Sequence, residues 1–161
     1  MNDLRDAAFA AIRDLMAKDE SVVIVTVDLG AHILTEIADK WPSRVINVGI
    51  AEQNGASVAA GLALAGKRPY LYGISMLLVR RALAQITMDI GVNNVPVVIL
   101  GLGAGKSFAS DGPSHCGTAD RAIMATVPNL RIMHPVTARQ MAEAVRLAYD
   151  SQSPTYIRFD K

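Results

Sequence analysis

Glu52 differs from its surroundings in this sequence. It sits in Asn47-Val48-Gly49-Ile50-Ala51-Glu52-Gln53, at the head of residues 51–65, a segment made almost wholly of small and apolar side chains. The plain reading is an acid in a first helical turn, favoured there by the helix dipole. The chemical reading is a carboxyl held in an apolar crevice. There the loss of water disfavours charge and lets the group exchange a proton with a ligand nitrogen. A second cluster is Asp111-Gly112-Pro113-Ser114-His115, inside a Gly/Ser-rich stretch at 102–117. A neutral histidine beside a carboxylate can donate to or accept from a carbonyl or hydroxyl oxygen whose charge changes during a reaction. The competing reading is an ordinary turn, for which Asp, Gly, Pro and Ser are common residues.

Other residues carry weaker signals. Asp28-Leu29 follows a short β-branched run and reads either as a strand-end cap or as a polar group beside a ligand. The stretch from Gly101 to Ser107 ends like a phosphate-binding loop, but Leu100 stands where that motif needs glycine. A flexible loop on the substrate side fits better, with Lys106 available to a phosphate. Cys116 adjoins His115, but neighbouring residues point apart, which argues against a thiolate–imidazole dyad. His32 and His134 read as helix-cap or loop residues, Arg80-Arg81 as a solvated or interface pair, and three scattered histidines do not form a metal site.

The elements that must hold these residues alternate. Helical spacing of Leu4, Ala7, Ala8, Ala11, Ile12, Leu15 and Met16 predicts a helix over 3–18, with Asn2 or Asp3 as its cap. Strands are expected at 21–27, 44–48, 69–74, 95–101, 130–133 and 154–159. Helices are expected at 31–40, 51–65, 76–91, 119–126 and 137–150, the last capped by Thr137. This order predicts an α/β fold: an open, mostly parallel six-stranded sheet with helices on both faces. Ligands of such sheets bind at the carboxyl ends of the strands. Asp28, Glu52, Asp111, His115 and His134 all fall there.

Composition narrows the class. The chain has 161 residues, 51% hydrophobic and 19% charged, enough apolar material for one domain core and for a face buried on another chain. A net charge of +1 and 5% aromatic content argue against a nucleic-acid surface. The apolar runs are too short and interrupted to span a bilayer, and the charged first twenty residues do not resemble a secretory signal. One cysteine fits a reducing compartment, so a cytoplasmic location is expected.

The segments NVGIAEQN and AAGLALAGKRP, with DGPSH, Asp120, Val127-Pro128-Asn129-Leu130 and His134-Pro135, resemble the pyrimidine-binding domain of the transketolase family. The resemblance spans roughly 20–160, and it implies one pyrimidine-binding domain over 1–161 without the family's diphosphate-binding domain or third domain. It implies thiamine diphosphate as cofactor. In the family a glutamate matching Glu52 hydrogen-bonds N1′ of the aminopyrimidine and promotes the tautomer that deprotonates the thiazolium carbon. It assigns Asp111 and His115 to substrate oxygens, Asp28 to a supporting place near the cofactor, and Ile74, Leu77 and Leu78 to the pyrimidine wall. That wall is aromatic in relatives and aliphatic here. Gly30-Ala31-His32 stands where transketolases carry a phosphate-contacting serine.

No GDG occurs in the chain, so the Mg²⁺–diphosphate half is expected from a partner subunit carrying GDG…N, in a dimer or hetero-tetramer. The implied reaction moves a two-carbon ketol or acyl unit from a ketose or 2-keto acid. The alternatives are a pyruvate-dehydrogenase β-like component, a deoxyxylulose-phosphate-synthase-like component, or a degenerate partner domain.

Overall fold

A computed structural model describes residues 3–160. Asn2, one of the two expected caps, lies outside the described residues. Asp3 caps α1 (Leu4–Met16), its carboxylate accepting from the Arg5 backbone N–H at 2.8 Å. There follow β1 (Val22–Thr26), α2 (His32–Lys40), β2 (Val45–Asn47), α3 (Glu52–Leu64), β3 (Arg68–Ile74) and α4 (Ser75–Arg81). Then come α5 (Leu83–Gln85), a π-helical stretch Ile86–Val92, β4 (Val98–Leu102), α6 (Asp120–Met124), β5 (Arg131–Met133), α7 (Ala138–Asp150) and β6 (Thr155–Phe159). Thr137 caps α7 by accepting from the Gln140 N–H.

All six strands are parallel, in the order β2-β1-β3-β4-β6-β5. One apolar layer joins α1, α2 and α7 to one face of the sheet, with Phe9 meeting Tyr72 edge-on at 4.9 Å. The other layer joins α3, α4, α6 and the π-helical stretch to the opposite face. β1, β3, β4 and β6 are inner strands, and apart from the two ends of β3 they are buried on both faces, as parallel packing requires. Among the described residues no helix is long and apolar enough to cross a membrane.

Two expected elements differ. The helix expected at 76–91 breaks at Ala82, whose φ of −112° leaves the helical range, and resumes with a widened π-helical turn. Packing there is tight: a Cβ on Gly91 would stand 2.6 Å from Val127, and Asn129 donates to the Gly91 carbonyl at 3.0 Å. Asn93 donates to the carbonyls of Met88 and Asp89, satisfying acceptors at the widened end. The fourth strand begins at Val98 instead of Val95, because Pro96 has no N–H to give the ladder.

From β1 the chain passes through α2, on one face of the sheet, to β2; from the adjacent β3 it passes through α4, on the other face, to β4 on the opposite side. Neighbouring strands whose connections diverge in this way open a crevice at their carboxyl ends.

Candidate active site

That crevice holds five of the residues marked by the sequence: Asp28, Glu52, Ile74, Leu77 and His115. A cavity of about 240 Å³ is lined by Val27, Asp28, Leu29, Ile50, Glu52, Ile74, Leu77 and His115. Val27 to Leu29 extend from β1, Ile74 ends β3, Leu77 lies on the first turn of α4, and Glu52 opens α3. A larger hollow beside Trp41 and Arg44, at the opposite end of β1 and β2, contains none of these groups, and another beside Ala31 and Asn47 shares only Asp28 and Leu29 with the cavity.

Glu52 is 2% exposed. α3 can carry it this deep because the helix lies close on the sheet: a Cβ on Gly55 would stand 3.0 Å from Val27 and 3.2 Å from Leu71. The helix dipole favours its negative charge. Arg81 Nη1 donates to Oε1 at 3.3 Å and stands 3.0 Å from Oε2. Oε2 has no hydrogen bond of adequate geometry, so one buried carboxylate oxygen remains unsatisfied beside the cavity. Such an orphan acceptor among apolar walls suits a planar, nitrogen-bearing ring that presents a donor to it.

Arg81 does more than its reading as half of a solvated or interface pair foresaw. Arg80 is exposed, but the half-exposed Arg81 reaches back to Glu52. Helical spacing offered the signal, because Arg81 falls four residues after Leu77, on the same face of α4.

Asp28 takes φ 63°, a left-handed conformation that Asp tolerates better than most residues. Asn47 stabilises it by donating from Nδ2 to Asp28 Oδ1 at 2.9 Å while its own Oδ1 accepts from the Asp28 and Gly49 N–H groups. The aliphatic wall divides. Ile74 and Leu77 face the cavity, whereas Leu78 is fully buried beneath it. Gly73 makes room for Leu78: a Cβ there would stand 3.0 Å from Leu78 Cγ and 2.7 Å from Val27.

His115 lines the cavity, and its Nδ1 shares a hydrogen bond with Ser114 Oγ at 2.9 Å. Asp111 and Lys106 are exposed on the same loop but do not line the cavity. No helix follows Lys106, as a phosphate-binding loop would require. The loop continues into short 3₁₀ turns at Ala109–Asp111 and Pro113–His115. Cys116 points to the Gly112 carbonyl at 3.6 Å.

His134, read as a loop residue, accepts at Nδ1 from Arg158 Nη1 at 3.2 Å. Arginine can only donate, so neutral His134 carries its proton on Nε2. Burial, and then the Arg158 charge, lower the His134 imidazole from its ordinary value. Arg158 itself forks onto Asp120, and this buried pair was not foreseen. Its signal was the one charged residue within the strand Thr155–Phe159. Among the described residues no three His, Cys, Asp or Glu side chains converge as metal ligands.

The family described as "Transketolase, pyrimidine binding domain" matches residues 1–161. The chain is 34% identical over 146 residues to one of the subunits of an apulose-4-phosphate transketolase from Phocaeicola vulgatus, covering 90% of this chain and 47% of that one. It is 39% identical over 144 residues to 1-deoxy-D-xylulose-5-phosphate synthase of Corynebacterium diphtheriae, covering 89% of this chain and 22% of that protein. Among solved structures, a split-gene transketolase described as an inactive β4 tetramer superposes with a TM-score of 0.86 at 32% identity. It covers 98% of this chain and 51% of its own. The chain thus spans about half the length of the split transketolase chains it matches and under a quarter of the synthase. Family match, sequence identity and superposition agree, and the chain belongs to the transketolase pyrimidine-binding domain family.

Proposed function

We propose that this chain supplies the pyrimidine side of a thiamine-diphosphate site in a split transketolase-like enzyme, which transfers a two-carbon ketol or acyl unit between carbonyl substrates. The observation that carries this reading is Glu52: a carboxylate 2% exposed, whose Oε2 faces the Arg81 charge but accepts no hydrogen bond, at the edge of an apolar cavity. Glu52 hydrogen-bonds a ring nitrogen of the aminopyrimidine and holds or releases a proton there. Ile74 and Leu77, with Leu29 and Ile50, wall the ring and exclude water. Asp28, fixed by Asn47, stands beside it. When bound, the cofactor supplies a carbon nucleophile and an electron sink that side chains lack. His115 faces the substrate carbonyl and passes a proton to or from its oxygen. Asp111 receives substrate hydroxyls and Lys106 a substrate phosphate, both from the loop that carries His115.

The cavity has no lysine or arginine among its lining residues to meet a diphosphate. That half comes from a cytoplasmic partner chain carrying GDG…N, so the working form is a dimer or hetero-tetramer. A β4 tetramer described as inactive is the behaviour expected of chains that each hold half a site. A deoxyxylulose-phosphate-synthase-like reaction is the second reading, favoured by 39% identity to such a synthase.

The test is reconstitution. This chain alone gives no turnover of hydroxypyruvate with an aldose acceptor, and the mixture with its partner does. Glu52→Ala in the mixture lowers kcat by about 10²-fold or more. Full activity of that variant removes Glu52 from the mechanism.

A further inference from the structure

Asp120 and Arg158 lie outside the cavity, but their contacts reach both of its walls. Asp120 is fully buried and Arg158 is 9% exposed. Arg158 Nε donates to Asp120 Oδ2 and Nη2 to Oδ1, each at 2.9 Å, a two-pronged pair that fixes orientation as well as distance. Nη2 also donates to the carbonyls of Ala104 and Gly117, at the two ends of the loop that carries Lys106, Asp111 and His115. Those ends touch: a Cβ on Gly117 would stand 2.4 Å from the Gly103 carbonyl oxygen. On the other side, Asp120 Oδ2 accepts from Ser75 Oγ at 2.9 Å and from the Tyr156 hydroxyl at 2.7 Å. Ser75 opens α4, between Ile74 and Leu77 of the aliphatic wall.

We propose that Asp120 and Arg158 are positioning residues that set the distance between the His115 loop and the Ile74–Leu77 wall, and so the geometry in which His115 meets substrate. This deepens the proposed function and rests on it. A buried ion pair adds little stability over apolar packing of the same volume. What it adds is direction. An apolar pair would leave the Ala104 and Gly117 carbonyls and the Ser75 and Tyr156 hydroxyls without this partner. The loop neck has no slack, so a shift there passes to His115.

The experiment uses Arg158→Met and Arg158→Lys in the full chain, alone and with the partner chain. The first readout is amide hydrogen exchange. Exchange over residues 104–117 should accelerate at least tenfold in Arg158→Met and less in Arg158→Lys, which keeps a charge for Asp120. Exchange in β1 and β3 should hold at the wild-type rate. The second readout is kinetic. In the complex, kcat/KM for hydroxypyruvate should fall at least tenfold while the dissociation constant for thiamine diphosphate stays within twofold.

Unchanged loop exchange overturns the proposal. So does a loosened loop with unchanged kcat/KM, or an equal loss of protection in every strand, which makes the pair a general stability element. If Arg158→Met does not fold, Arg158→Lys is judged by the same readouts. A wild-type complex that binds no thiamine diphosphate sinks the proposed function, and the exchange pattern still decides whether the pair holds the loop.

Discussion

Arg81 Nη1 stands 3.0 Å from Oε2 of Glu52, so a half-exposed guanidinium covers a carboxylate that is itself 2% exposed. Removing the cation leaves the acid buried without a counter-charge. Arg81→Met is expected to lower stability by about 1–2 kcal/mol, at the low end for a buried pair because the arginine is partly solvated. The double variant Glu52→Gln/Arg81→Met should recover most of that loss in urea denaturation. A double variant as unstable as the sum of the two singles would show that the pair does not interact.

Gly73 separates the buried Leu78 from the cavity wall. A Cβ there would stand 2.7 Å from Val27 and 3.0 Å from Leu78. Gly73→Ala should therefore cost about 1–3 kcal/mol by overpacking. Gly30→Ala serves as control, since nothing lies within 4 Å of its Cβ position. Equal denaturation midpoints for the two variants would refute the close packing.

The network around Arg158 predicts a signed pH dependence. Burial alone would raise the Asp120 carboxyl, but hydrogen bonds from Arg158, Tyr156 and Ser75 outweigh it and hold the group below the usual carboxylate range. Its contribution is complete above the unfolded value, near ~3.9, and is lost as pH falls through the lower folded value. The His134 imidazole is likewise depressed, by burial first and then by Arg158. The unfolded chain therefore binds that proton more readily, and stability falls as pH drops below ~6.5. His134→Asn keeps an acceptor for Arg158 without titrating. Its stability should be flatter between about pH 5 and 6.5 than that of wild type, with the steeper acid loss retained. An unchanged slope in denaturation at stepped pH would contradict the assignment.

Much of this was legible in the sequence, for identifiable reasons. β-Branched runs such as Val22–Thr26 read as strands because an inner parallel strand is apolar on both faces. Glu52 was legible because a lone acid in a small-residue helix has few places to go except a site or a helix end. What stayed hidden depends on distance in the chain. Ser75, Asp120, Tyr156 and Arg158 meet only after β6 inserts between β4 and β5. Leu78 and Leu77 are neighbours in sequence, and only the start of α4 at Ser75 and the space above Gly73 decide which faces the cavity. Asp111 and Lys106 follow the expected loop, but the two 3₁₀ turns that set its path leave them outside the cavity lining.

The most direct test of the central claim is calorimetric titration of thiamine diphosphate with Mg²⁺ into this chain, into its diphosphate-binding partner, and into their mixture. The account predicts saturable binding in the mixture only, weakened at least tenfold by Glu52→Ala. A demonstrably formed complex that binds no cofactor, or that binds it equally well with Glu52→Ala, would contradict it.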